Sequence, residues 1–407
     1  MLLIRLRPAS STHEALTLAL EIQIESAIYG GCAVVLDPNA LRPKLLAENN
    51  EYGRNLGTIL AQTPCMASAL DLATGSGCTR IQLMLEGEGP HHEIRWERLE
   101  FPNRPPIAID MATPFSRFAA LNRKLVEPEP DAQFRLLFAI ASPDDLPAID
   151  SDAQCRSIVK ACEQSLDSGQ MRLSVMPGHR GLSPDTRAWL DQRRVPILPG
   201  DTTAQNIVPQ LREADGVHFI AHGSFNKGTF FLMLEDKPAL DTDMIEHLRS
   251  AAPRLVLLES CQGAVNGDSG LAGFLSKLVQ AGIPAAIGMQ DFVRMGDAEL
   301  FRTGFYRSLV LDGVVDVAAN EGRRLLADTA DYSWAVPIVA TRLRGGMLWR
   351  ETKEISARQV GSSGEVDPRS GRRNLLEGIS YRRVFRERLL DGISDSQRSL
   401  LGCCLVL

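Results

Sequence analysis

Two stretches decide how this chain is read: Gly216-Val-His-Phe-Ile-Ala-His-Gly-Ser224 and Arg254-Leu-Val-Leu-Leu-Glu-Ser-Cys-Gln-Gly-Ala264. Each is an apolar run that stops abruptly in small or polar residues. Val217 to Ala221 lead into His222-Gly223, and Leu255 to Leu258 lead through Glu259 into Ser260-Cys261. Short apolar runs bounded by turn residues read as buried strands of a parallel sheet. In such sheets, ligand and catalytic groups sit just beyond the carboxyl ends of the strands. The two stretches therefore predict His222 and Cys261 on neighbouring loops at one sheet edge.

Working outward, strands and helices alternate from Phe134 onward. Phe134 to Ile140, Met171 to Met176, Ile283 to Met289 and Trp334 to Ala340 read as strands. Helices are predicted between them, with start signals at Asp150-Ser-Asp152 and Ser183-Pro-Asp185. This alternation predicts an α/β domain with a mainly parallel sheet flanked by helices. The amino-terminal part reads differently. Leu3 to Arg7 has the pattern of a half-buried edge strand, and His13 to Tyr29 alternates with strand period before Gly30-Gly31 breaks the run. Glu127-Pro-Glu-Pro-Asp131 marks a boundary. Three regions follow: a β-rich and helical section over 1–126, an α/β domain over 127–350, and a polar linker with a helical tail over 351–407.

Composition narrows the function classes. The 407 residues are 44% hydrophobic and 23% charged, ordinary for a globular chain with a sizeable core. A net charge of -6 gives no pull toward nucleic acid. No apolar run reaches the roughly 18 residues that cross a membrane, and the start lacks the features of a signal peptide. The eight cysteines show no CxxC spacing. Reduced thiols and a cytoplasmic location are expected.

Cysteine catalysis needs a thiolate, a nearby imidazole and backbone donors for an oxyanion. The interval between His222 and Cys261 has room for one helix joining two parallel strands. Gly223 lets the backbone approach a substrate carbonyl, so its N–H and that of Cys261 are the candidate oxyanion donors. On spacing alone, a buried structural cysteine beside a satisfied histidine fits as well. His218 is the rival histidine. It forms an HxxxH spacing with His222, but on a strand the two lie too far apart to chelate one ion readily. No cofactor or metal is called for. Gly267-Asp-Ser-Gly270 does not complete a serine-hydrolase elbow, and Gly75-Ser-Gly77 lacks the lysine of a phosphate loop. The carboxyl end, Cys404-Leu-Val-Leu407, has the form of a prenylation box, which short tails also meet by chance.

At these residues the sequence resembles the CHAT domain family, caspase-like cysteine peptidases of the clan of caspases, separase and gingipains. His218-Phe-Ile-Ala-His-Gly223 resembles the family's histidine motif, and Leu255-Val-Leu-Leu-Glu-Ser-Cys-Gln-Gly263 its cysteine motif. Trp96-Glu97 resembles an upstream Pro-Trp-Glu element, with Arg95 in place of the proline. Gly282 to Gln290, Phe305-Tyr306, Gly313, Val315-Asp316 and Trp334 to Pro337 resemble later elements in the same order. Gly263 stands where serine or threonine is frequent. The resemblance implies a caspase-like fold and a Cys261–His222 dyad that hydrolyses peptide bonds in a protein partner. It also implies a regulated bacterial defence role, with a gasdermin-like pore former as one possible substrate and a separate protein as activator. Asp268, Gln290 and Asp291 are the candidates for substrate contact. The alternative is a catalytically idle caspase-like scaffold that binds a partner through the same groove.

Overall fold

The computed structural model describes residues 1–11, 15–37, 51–75, 80–87, 89–92, 94–120, 133–226, 229–260, 270–291, 293–327 and 332–349. Met1–Thr352 form one compact unit. The expected linker and tail over 351–407, with Cys404, lie outside the described residues.

The amino-terminal section contributes β1 (Leu2–Ser11), β2 (Leu16–Ile24), β3 (Ala27–Leu36), α1 (Tyr52–Ala61), α2 (Pro64–Gly75), β4 (Ile81–Leu85) and β5 (Phe115–Phe118). After it come β6 (Phe134–Ala141), α3 (Ser151–Asp167), β7 (Met171–Met176), α4 (Pro184–Gln192) and α5 (Ala204–Arg212). Then follow β8 (Gly216–Asn226), β9 (Thr229–Met233), β10 (Pro238–Leu240), α6 (Asp241–Ala251), β11 (Leu255–Glu259) and α7 (Gly270–Ala281). The last elements are β12 (Ala285–Met289), α8 (Met295–Asp312), α9 (Val315–Leu325) and β13 (Pro337–Thr341). No helix among the described residues is long and apolar enough to cross a membrane.

The strands form one mixed, mostly parallel sheet. Its order runs β7-β6-β8-β11-β12-β13-β5-β4-β1-β2-β3, and the β9–β10 hairpin joins the outer half of β8. Side-chain alternation sorts the core into two layers. Leu255 and Leu257 of β11 face one layer with Ile158 of α3 and Phe301, Phe305 and Leu309 of α8. Val256 and Leu258 face the other, with Ile207 of α5, Met244 of α6 and Phe274 and Leu278 of α7. Helix starts follow the sequence signals. The Asp150 carboxylate accepts from Ala153 N–H at 3.0 Å, and Ser183 and Thr203 cap α4 and α5.

The amino-terminal section differs from the sequence reading in three ways. β1 is an interior strand between β2 and β4, so the section continues the main sheet through β5 and β13. The chain turns at Glu25-Ser26, with Glu25 at a φ of 53°, and β3 runs on through Gly30-Gly31. The register shift between Leu20 and Ile22 absorbs the irregularity, which glycine in an edge strand tolerates. Cys32 of β3 and Cys65 of α2 are joined in a disulfide, contrary to the expected reduced thiols. Their Cα atoms stand 6.3 Å apart, because α2 packs directly over β2 and β3.

Helix α1 lies on the backbone of the Trp96 segment. A Cβ added at Gly53 or Gly57 would stand 1.9 Å from the carbonyl oxygen of Arg98 or Glu100 respectively. Only glycine allows that approach. Gly57→Ala is expected to force α1 off this segment and cost about 1–3 kcal/mol. Urea unfolding of the variant against wild type measures it, and an unchanged midpoint would refute the packing argument.

Candidate active site

Strands β8 and β11 run parallel, in register from Gly216–Leu255 to Ile220–Glu259. Their carboxyl ends therefore lie side by side. Ser260, the last described residue of that segment, is buried against Gly223. A Cβ at Gly223 would stand 3.0 Å from Ser260 Oγ and 3.2 Å from the Phe230 ring. A side chain after His222 would therefore crowd Ser260 and Phe230, each of which would have to give by a few tenths of an ångström. Cys261 follows Ser260 in sequence and, with Asp268, lies outside the described residues.

His222 sits where β8 changes partners. Up to Ala221 the strand pairs with β6, whereas from His222, opposite Met233, it pairs with β9. The His222 ring reaches across to the loop after β6, where Nε2 lies 2.8 Å from the carbonyl oxygen of Pro147. A carbonyl only accepts, so Nε2 carries the hydrogen and donates. In the neutral ring this leaves the lone pair on Nδ1.

His218 occupies a different environment. It is fully buried between Phe138 and Tyr306. Nδ1 lies 2.9 Å from the Tyr306 hydroxyl, and Nε2 lies 3.1 Å from Glu259 Oε2. Arg302 of α8 approaches the other Glu259 oxygen at 3.4 Å and donates to Gln154 and Ser157 of α3. Burial pushes His218 below its ordinary pKa and keeps the imidazole neutral. Burial pushes Glu259 up, but Arg302 and His218 outweigh it and hold the carboxyl below the usual range. Burial also raises the Tyr306 hydroxyl, which stays protonated and donates to Nδ1. His218 is thereby spoken for at both nitrogens.

The free cysteines among the described residues, Cys155 and Cys162, are buried. Burial pushes the Cys155 thiol up to about 12 and the Cys162 thiol higher still, so neither supplies a thiolate near neutral pH.

Two candidates for substrate contact follow β12. Gln290 is 3% exposed. Its side-chain oxygen accepts from Arg95 at 2.7 Å, and its amide donates to the Ala335 carbonyl at 2.7 Å and to Glu97 at 3.2 Å. Glu97 is held in turn by Arg117 at 2.7 and 2.9 Å. Gln290 thus ties the Trp96 segment to the end of β12. The Asp291 side chain is 27% exposed and pairs with Arg95 at 3.4 Å. Among the described residues no group of histidine, cysteine and acidic side chains could hold a metal ion.

The Pro147 carbonyl is silent in the sequence, because a backbone acceptor carries no residue signature. The pairing of Glu259 with His218 has one signal in the sequence, a charge that ends an apolar strand.

This is a caspase-like α/β architecture with a histidine at the carboxyl edge of its central strands. The CHAT domain family matches residues 50–340, and the chain belongs to that family, a caspase-like protease family. Among solved structures, the separase–securin complex of Saccharomyces cerevisiae is similar over 64% of this chain and 16% of that chain, with 12% identity and a TM-score of 0.38. A glycotransferase of kitacinnamycin is similar over 72% of this chain and 66% of that one, with 13% identity and a TM-score of 0.24. No curated protein matches the sequence significantly.

His218→Ala would leave Glu259 and Arg302 enclosed without the imidazole, at an expected cost of about 2–4 kcal/mol. The folded-state pKa values of both His218 and Glu259 are lowered, so their contribution is present above the unfolded values and lost as pH falls. The urea midpoint of wild type should drop as pH decreases below about 6.5, and drop less in His218→Gln. Equal pH dependence in the two proteins would contradict this assignment.

Proposed function

We propose that the chain is a cysteine endopeptidase that cleaves a protein partner, with Cys261 as nucleophile and His222 as base and acid. The observation that carries the reading is the Nε2–H donated to the Pro147 carbonyl. It turns the free nitrogen of His222 toward general-base work at the sheet edge where β11 ends. Nδ1 takes the Cys261 thiol proton, and the thiolate attacks the scissile carbonyl carbon. The N–H groups of Gly223 and Cys261 meet the oxyanion. As the tetrahedral intermediate collapses, the imidazolium returns the proton to the leaving amine. His222 then removes a proton from water, which hydrolyses the thioester and frees the thiol.

Of the residues put forward for substrate contact, the half-exposed Asp291 has access to solvent, whereas the buried Gln290 is consumed by Arg95, Glu97 and Ala335. An acid at Asp291 favours a basic residue before the cut, and the Arg95 cation beside it moderates that preference. Asp268 remains in the proposal as a sequence candidate. A bacterial defence role, a gasdermin-like substrate and a separate activator extend the reading by family resemblance alone.

Expression of wild type and Cys261→Ala in cells of the native host, followed by mapping of new protein termini, tests the reaction. Termini present with wild type and lost in Cys261→Ala are expected. His222→Ala should lower their yield by about 100-fold or more. Termini that persist in Cys261→Ala would overturn the proposal.

A further inference from the structure

The loop that carries Pro147 is held by a charged cluster that the proposed dyad does not include. Its centre is Glu235, just after β9, whose side chain is 3% exposed. This one carboxylate accepts backbone N–H groups from three separate segments. Ser142, at the exit of β6, donates at 3.2 Å. His179, at the exit of β7, donates at 3.0 and 3.2 Å to the two oxygens. Thr202, ahead of α5, donates at 2.6 Å. A carboxylate satisfied by several backbone donors is strongly held in place. The fit is tight: Gly178 has a φ of +77°, and a Cβ there would stand 2.1 Å from Glu235 Oε1.

A second layer of contacts carries this anchor to the Pro147 loop. The His179 ring spans two carboxylates, with Nδ1 3.1 Å from Glu235 and Nε2 3.0 Å from Asp144. Arg180 donates to Asp144 at 3.1 Å and to the Ser142 carbonyl at 3.2 Å. Ser142 Oγ accepts the Ile149 N–H at 3.0 Å, which closes the loop over residues 142–149. Pro147 lies inside that closed loop. Asp144 and Glu235 beside His179 hold its imidazole above the ordinary range, in keeping with a cation between two anions.

We infer that Glu235, His179 and Asp144 are positioning residues for His222: they fix the 142–149 loop so that the Pro147 carbonyl holds the His222 ring in one tautomer and orientation. The inference rests on the proposed dyad for its catalytic meaning, but the tautomer of His222 is a property of the resting protein. The three residues come from the exits of β6, β7 and β9, so the histidine is oriented by the sheet edge around it.

The test uses two readouts on the full chain. The ring-nitrogen NMR spectrum of the seven histidines, with His222 assigned by loss of its signals in His222→Gln, reports the tautomer. Iodoacetamide labelling of Cys261, followed by peptide mass mapping across pH, reports the dyad. In wild type, His222 should be the Nε2–H tautomer. In Glu235→Gln the tautomers should mix, and Cys261 labelling near pH 7 should fall about tenfold, within the ~100-fold that a misplaced catalytic group can cost. Glu235→Asp should restore part of both signals. If Glu235→Gln fails to fold, Asp144→Asn replaces it. That side chain is 83% exposed, so the variant should fold and show the same changes at about threefold size. A wild-type tautomer and labelling profile in the folded variants would overturn the inference. Labelling of wild-type Cys261 that is indifferent to His222→Ala would instead overturn the dyad, leaving the tautomer result to judge the positioning role.

Discussion

The buried contact between Glu259, His218 and Arg302 is the constraint around which the centre of the molecule is arranged. An anion at the end of an apolar strand cannot be enclosed without partners. Here the partners come from the adjacent strand β8 and from α8, which is bonded in turn to α3. The contact therefore fixes three relationships together: the register of β11 against β8, the height of α8 over the sheet, and the seating of α3 beside it. Ser260 and Gly223 are brought face to face as a result. Polar satisfaction, rather than added apolar area, selects this arrangement from the sliding registers that two smooth apolar strands would permit.

His218 and His222 show how identical side chains four residues apart acquire different duties. Both project to the same side of β8. One meets a carboxylate and a phenol in a closed interior, where both nitrogens are consumed. The other lies beyond the parallel ladder, where a single backbone carbonyl engages one nitrogen. Environment distinguishes them, and the distinction is one of hydrogen-bond count and burial.

Much of the central sheet was legible because its strands are short, apolar and bounded by turn residues. Phe134, Met171, Leu255 and Ala285 all lie in strands where the alternation placed them. The amino-terminal section was less legible. A strand paired on both sides, such as β1, can carry the same half-buried pattern as an edge strand when one face stays solvated. The β9–β10 hairpin escaped notice, since Thr229 to Leu240 is short and carries charges at Glu235, Asp236 and Lys237. The Cys32–Cys65 pairing was invisible because spacing in sequence says nothing about the approach of a helix to a strand. At the candidate site, residue types were readable and their partners were not. Pro147, Glu235 and Asp144 reach His222 only through folded loops, and no local pattern links positions so far apart.

The exchange of partners along β8 has a consequence for how such a site can vary. His222 is the first residue whose backbone neighbour is the β9–β10 hairpin instead of the parallel sheet. The hairpin is therefore a wall with two duties: Phe230, Leu232 and Leu234 seat it in the core, and Glu235 at its tip holds Ser142, His179 and Thr202. In a chain of this build, what is admitted beside the histidine and how that histidine is aimed are coupled through the same dozen residues.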